Sequence, residues 1–157
     1  MILPSVPEDT PDLIKIAKET GVFKPIEIEA LGEVLDDYHT ESDKHGHRCL
    51  TYKQADQVLG FAYYAPTAMT DRTWHLYWIA VSKHTQAKGI GGQLLHYAEE
   101  DIRRNHGRQL LIETSSLPHY ELTRRFYQKH GYEQASVVPD YYADGDHMVI
   151  FRKSFRH

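Results

Sequence analysis

The sequence predicts an α/β (α+β) fold: one mixed, mostly antiparallel sheet with a single parallel strand pair near its centre. Three observations carry that expectation. Two amphipathic helical stretches lead the chain, the first running from Thr10 to Gly21 and the second starting at Pro25. Three strand-like runs separated by short polar turns follow, which is the pattern of an antiparallel meander. The last of these, Trp74 to Val81, passes through a glycine-rich turn into a helix and then a further apolar run, Gln109 to Glu113. A crossover of that kind leaves the strands at its two ends parallel.

Taken in order, Pro7 to Asp9 is a turn, Thr10 an N-cap and Pro11 a first helical residue, with Leu13, Ile14, Ile16 and Ala17 as the buried face. Pro25 restarts the pattern, and Ile26, Ile28, Leu31, Val34, Leu35 and Tyr38 form a second stripe that ends in the polar stretch His39 to Gly46. His47 to Lys53 and Gln57 to Pro66 are predicted strands joined at Gln54 to Asp56, and Thr70 to Arg72 turns the chain into Trp74 to Val81. The next helix begins near Ile90 and buries Ile90, Leu94, Leu95, Ala98 and Ile102. Arg103, Arg104 and His106 load its last turn, and Gly107 is the expected left-handed cap. Beyond Glu113, residues Ser115, Ser116 and Pro118 open a helix expected to bury Leu122 and Phe126 and to stop at Gly131. Glu133 to Val138 and His147 to Lys153 then close the chain as a hairpin across the loop Pro139 to Asp146, where Asp144-Gly145 supplies turn chemistry.

Composition narrows the function classes. A chain of 157 residues fits one domain, taken as residues 1–157, and its 41% apolar and 25% charged content is that of ordinary globular proteins. No apolar run approaches the roughly 20 residues of a membrane span, and Met1 to Leu3 is too short for the apolar core of a leader, so no membrane partner is expected. The lone Cys49 can form no internal disulfide and no zinc-binding cysteine pair; a reducing cytoplasm is the simplest setting. A net charge of -4 argues against general nucleic-acid binding, although residues 1–43 hold eleven acids against three bases and the remainder is net basic. That asymmetry suits an anionic cofactor on one side and a cationic acceptor on the other. Eleven histidines, His45-Gly46-His47 among them, lack any H-E-x-x-H or Cys/His ligand spacing, so no metal is expected.

The sharpest local signal is Gln86-Ala87-Lys88-Gly89-Ile90-Gly91-Gly92, between the strand and the helix. Residues without a Cβ let backbone N–H groups approach an anion that also feels the positive helix end, so phosphate is the natural ligand. The spacing fits neither a dinucleotide fingerprint nor a Walker loop. It matches Q/R-x-x-G-x-G/A, and in this the chain resembles the GNAT superfamily of acyl-CoA-dependent N-acetyltransferases. A second stretch, Arg124-Arg125-Phe126-Tyr127-Gln128-Lys129-His130-Gly131-Tyr132, is similar to that family's helix carrying Phe-Tyr and ending at Gly-Tyr. The two signatures occur in the family's order, and the element order agrees over nearly the whole chain.

The resemblance implies a twisted sheet with helices on both faces and acetyl-CoA as co-substrate, without a metal. Its pantetheine arm would insert between the fourth and fifth strands, contacting the backbone of Ile79, Ala80 and Val81. Amides of Gln86, Ala87, Lys88, Gly89, Ile90, Gly91 and Gly92 would hold the pyrophosphate, with Ser115 and Tyr127 also at the cofactor. Tyr127 would be catalytic, its phenol donating to the departing thiolate. With reference pKa values of about 10 and about 8.5, full proton transfer is uphill by roughly 2 kcal/mol, which favours hydrogen-bond stabilisation over donation. The implied reaction is acetyl transfer to a primary amine of a small molecule by direct attack in a ternary complex, and a homodimer is compatible with the family. A non-catalytic acyl-CoA-binding module and a protein lysine or N-terminal acetyltransferase are the alternatives. Two departures stand out: Ser82-Lys83 replaces the Asp-Pro often found after the strand valine, and Trp74 to Val81 contains no carboxylate to serve as base. His75, Glu113, His119, Tyr141 and Tyr142 are the remaining candidates for that role.

Overall fold

The β-branched and aromatic runs pair edge to edge into one seven-stranded sheet. The computed structural model describes residues 1–41, 46–85 and 89–155. In chain order the elements are β1 (Ile2–Pro4), α1 (Thr10–Glu19), α2 (Pro25–Glu41), β2 (Arg48–Gln54), β3 (Gln57–Pro66), β4 (Thr73–Val81), α3 (Ile90–Arg104), β5 (Gln109–Ser115), α4 (Glu121–Lys129), β6 (Glu133–Ala143) and β7 (Asp146–Ser154). Single 3-10 turns at Pro7–Asp9 and Pro118–Tyr120 precede α1 and α4. The strand order is β1-β2-β3-β4-β5-β7-β6, with β4 and β5 parallel and every other pair antiparallel. This is the mixed sheet that the crossover predicts.

Alternation along β3 divides the core in two. Leu59, Ala62 and Tyr64 join the cluster under α3, with Leu94, Leu95, Ala98 and Ile102. Val58, Phe61 and Tyr63 face the other way and pack with Leu13, Ile16 and Ala17 of α1 and Leu31 and Leu35 of α2. Period-two strands between two helical layers bury both faces, as expected of helices on both sides. Close approach of α3 depends on Gly60, where a Cβ would stand 3.1 Å from the Ala80 carbonyl and 3.2 Å from Leu94 Cδ1. The buried carboxylate of Glu99 in α3 is matched: it accepts from Tyr132 at 2.7 Å and Lys153 at 3.1 Å, fastening α3 to β7.

Several expectations are corrected. A first strand, β1, was not foreseen; it pairs through Ile2↔Tyr52 to Pro4↔Leu50, and three residues are too few to show a period. Asp9 rather than Thr10 is the α1 N-cap position, and its carboxylate accepts the Val6 N–H at 3.0 Å. His106, not Gly107, takes the left-handed conformation after α3, with φ 62. Gly107 is needed for space instead, since a Cβ there would collide with the Ile102 side chain. Ser115 ends β5 rather than opening a helix, and α4 begins only at Glu121. Its inward face therefore centres on Tyr127, one turn beyond Thr123, and leaves Leu122 79% exposed. The closing hairpin is also longer, because β6 runs through Pro139 to Ala143 and only Asp144 and Gly145 remain as turn. Proline is tolerated there because β6 is the sheet edge.

Candidate active site

The parallel pair is where the sheet opens. β4 and β5 are in register only from Thr73↔Gln109 to Leu76↔Ile112, although β4 continues to Val81 and β5 to Ser115. Divergence begins at a bulge: Tyr63 of β3 faces Trp78 and Tyr64 faces Leu76, so Tyr77 is the extra residue on β4. An extra residue bends and twists its strand. From Tyr77 onward the β4 edge facing β5 thus offers backbone N–H and C=O groups without a strand partner.

A cavity of about 330 Å³ fills the opening. The ends of β4 and β5, Gly91, Phe126 and Tyr127 form one part of its wall; Phe23, Lys24, Glu27, Tyr120, Tyr142 and Asp146 form another. Of the residues that the resemblance implies, Ile79, Ala80, Val81, Gly91, Ser115 and Tyr127 line this one cavity. Gly89, Ile90 and Gly92 build the helix start beside it. Gly89 sits at φ 69 as the N-cap of α3, a conformation that costs most other residues strain. Ile90 is buried beneath it, and Gly92 lies against His130, whose Cε1 a Cβ would approach to 2.9 Å. The first turn of α3 leaves its N–H groups without intrahelical acceptors and carries the positive helix end. Gln86, Ala87, Lys88 and His45 lie outside the described residues.

Tyr127 is 5% exposed, with Phe126, Tyr132 and Phe151 around its ring. No hydrogen bond to its hydroxyl occurs among the described residues, so its donor is open to whatever enters. Burial pushes its phenol above the ordinary value, which keeps it protonated. Ser115 is committed differently: its hydroxyl donates to Asp146 at 2.5 Å and accepts from the Leu117 N–H at 3.0 Å. Burial alone would raise the Asp146 carboxyl, but the Ser115 hydroxyl and the Lys24 ammonium hold it below the ordinary carboxylate value.

Among the candidate bases, the structure brings His75 and Glu113 together. His75 Nε2 lies 3.1 Å from Glu113 Oε2, and Nδ1 lies 2.6 Å from Thr67 Oγ1. The His75 hydrogen bond lowers the Glu113 carboxyl against the opposing effect of burial, so Glu113 is a weaker base than an ordinary glutamate. His119 and Tyr141 are exposed, whereas Tyr142 lines the cavity. Cys49 belongs to the core cluster under α1 and α2, with its thiol pushed up by burial to about 12. It is neither ionised nor near the cavity, so it offers no acyl-accepting nucleophile. Lys24, Glu27, Tyr77 and Tyr120 were missed in the sequence. They come from a loop, a helix start, a bulge and a 3-10 turn, and no periodicity marks such positions as convergent.

Comparison with known proteins agrees with this geometry. The Acetyltransferase (GNAT) domain profile matches residues 45–134. A GNAT-family protein from Desulfovibrio desulfuricans is 34% identical, with 98% of each chain covered and a TM-score of 0.94. An aminoglycoside 6'-N-acetyltransferase solved with coenzyme A is 18% identical over 100% of this chain and 98% of its own, with a TM-score of 0.80. A ribosomal-protein-alanine N-acetyltransferase from Brucella melitensis is 16% identical over 99% of both chains, with a TM-score of 0.77. No curated protein matches the chain. A bulged, parting strand pair, a glycine-rich helix start and a 34% identical neighbour over the full length lead to one conclusion: the chain belongs to the GNAT acetyltransferase family.

Proposed function

We propose that this chain transfers the acetyl group of acetyl-CoA to a primary amine of a small molecule by direct attack in a ternary complex. The observation that carries the reading is the Tyr127 hydroxyl, buried and unpartnered among the described residues, in the wall of a cavity that opens where β4 and β5 part. The parting strands suit the pantetheine arm, and the free edge of β4 suits its amide groups. Amides at the α3 N-terminus suit the pyrophosphate, with Gly91 allowing the approach.

In the reaction the neutral amine nitrogen attacks the thioester carbonyl carbon, a C–N bond forms, the C–S bond breaks, the sulfur leaves as thiolate, and the proton that the nitrogen sheds on becoming an amide passes to water. An alkylammonium with a pKa of about 10.4 must first lose a proton. Glu113 is too weak a base to hold that proton against an amine, so water carries it out of the cavity. Tyr127 stabilises the thiolate as a neutral donor. Because its phenol is pushed up further by burial, hydrogen bonding rather than proton transfer is its contribution.

The test is product identification. Thiol release from acetyl-CoA is followed with a panel of small primary amines and with short peptides bearing free N-termini or lysines, and the acylated product is identified by mass spectrometry. Amine-dependent thiol release with an N-acetylated small molecule as product is the expected result. Release with peptides alone, or binding of acetyl-CoA without release in the presence of any amine, would refute the reading.

A further inference from the structure

The cavity wall has a charge pattern that acetyl-CoA does not explain. Among the described residues, three carboxylates line the cavity, Glu27, Glu113 and Asp146, against one ammonium, Lys24. Lys24 is already used. Its Nζ lies 3.2 Å from Asp146 Oδ2 and 5.6 Å from the centroid of the Tyr142 ring, and the Ser115 hydroxyl takes the other Asp146 oxygen. Asp146 is 2% exposed, so this pair is a closed fastener between the chain before α2 and the start of β7. Glu27 and Glu113 remain. Glu27 is oriented by the Lys24 backbone N–H at 3.0 Å, and Glu113 by His75 at 3.1 Å.

These carboxylates converge. The Tyr142 phenol is pushed up by burial and then by Glu113, Glu27 and Asp146, and the Tyr120 phenol by burial, Glu27 and Asp146. Phe23, Tyr77, Trp78, Tyr120 and Tyr142 put aromatic faces around the same space. A ligand that fills the cavity strips water from Glu27 and from Glu113, whose Oε2 alone is met by His75, and a positive charge on the ligand compensates that loss. The reacting amine cannot supply it, because it is neutral when it attacks and an amide afterwards. A carboxylate acting on that nitrogen alone would only hold its proton more tightly. Tyr127, whose hydroxyl has no partner among the described residues, marks the reacting part of the cavity independently.

We infer that the acceptor is a dication of the diaminoalkane class: one amine reacts, and a second, which keeps its positive charge, is held by Glu113 and Glu27 against the ring of Tyr142. The inference rests on the transferase reading above and adds the substrate class. It also excludes acceptors that carry a carboxylate in place of the second amine, since that group would face two like charges.

The experiment compares kcat/KM at saturating acetyl-CoA and neutral pH for α,ω-diaminoalkanes, n-alkylamines and ω-aminoalkanoates of matched length, from propane to hexane chains. The expected order is diamine above monoamine by roughly tenfold or more, with the aminoalkanoate lowest. Glu113→Gln and, separately, Glu27→Gln are expected to reduce the diamine-to-monoamine ratio about tenfold and severalfold respectively, with thermal melting and acetyl-CoA calorimetry confirming a folded protein. Equal use of diamine and monoamine by the wild type, preference for the aminoalkanoate, or a loss in the variants that is the same for every amine would overturn the inference while leaving the transferase reading intact. Absence of turnover with all amines by a protein that binds acetyl-CoA would overturn both.

Discussion

Tyr127 joins two properties that are seldom found together, near-complete burial and a hydroxyl without a partner among the described residues. Replacing it by phenylalanine keeps the ring and its packing on Phe126, Tyr132 and Phe151. If the hydroxyl acts on sulfur's developing charge, Tyr127→Phe lowers kcat and kcat/KM together and leaves acetyl-CoA affinity nearly unchanged. A hydrogen bond to a charged group is worth about 1.5–3 kcal/mol, so the loss is roughly ten- to a hundredfold in rate. Wild-type turnover by the variant, with chemistry limiting, would reduce Tyr127 to a packing residue. The tyrosine was legible in the sequence because a helix motif carries it. The partners of Glu113 and Asp146 were not, because His75 lies 38 residues from Glu113 and Lys24 lies 122 from Asp146. Contacts of that separation leave no trace in local spacing.

At the scale of elements, the helix starts and the parting strands carry the site. Gly91 faces Phe126 Cε1 at 3.3 Å and Val81 Cγ2 at 3.5 Å, measured from the position of a Cβ. A valine there intrudes on the cavity and crowds the α3 N-terminus. Overpacking of about 1–3 kcal/mol predicts a roughly tenfold or greater loss of acetyl-CoA affinity for Gly91→Val by calorimetry; unchanged affinity in a folded variant would remove α3 from the binding surface. Gly32 is the contrasting position, inside α2, where a Cβ would meet only Ile14 Cδ1 at 3.8 Å. Gly32→Ala is expected to spare binding and to raise stability by about 0.5–1 kcal/mol in urea unfolding, and destabilisation would show that α2 tolerates no added methyl at that site.

The long periodic elements, α1, α2, α3 and the meander, were legible because hydrophobic spacing acts within each of them. Leu122 and Gly107 were misassigned for a shared reason. The phase of α4 is set by the 3-10 turn before it, and the α3 cap by how closely Ile102 packs, and both are tertiary effects. β1 escaped because pairing, not side-chain alternation, makes it a strand, and the second half of β6 escaped because its register breaks between Val138 and Ala143, with Asp140 at φ 53.

Over the whole molecule, Lys24–Asp146 joins the front of the chain to its closing hairpin across the cavity. Asp146 has a carboxyl held below its ordinary value of 3.8, so its bonds stabilise the fold fully above that value. The contribution is lost as pH falls through the lower folded-state pKa. Asp146→Asn is therefore expected to cost about 1–3 kcal/mol near neutral pH, with the difference from wild type shrinking at pH 3 and below in urea unfolding. A difference independent of pH would mean that the pair does not fasten the fold.

The central claim is that one cavity holds both substrates at once and passes the acetyl group directly between them. Steady-state rates with acetyl-CoA and amine varied together test it most directly. Direct attack requires a ternary complex, so reciprocal plots at several fixed amine concentrations should intersect, and no acetyl-enzyme should accumulate when acetyl-CoA is mixed with enzyme alone. Parallel lines, together with a burst of thiol release before amine is added, would reveal a covalent intermediate and contradict the account.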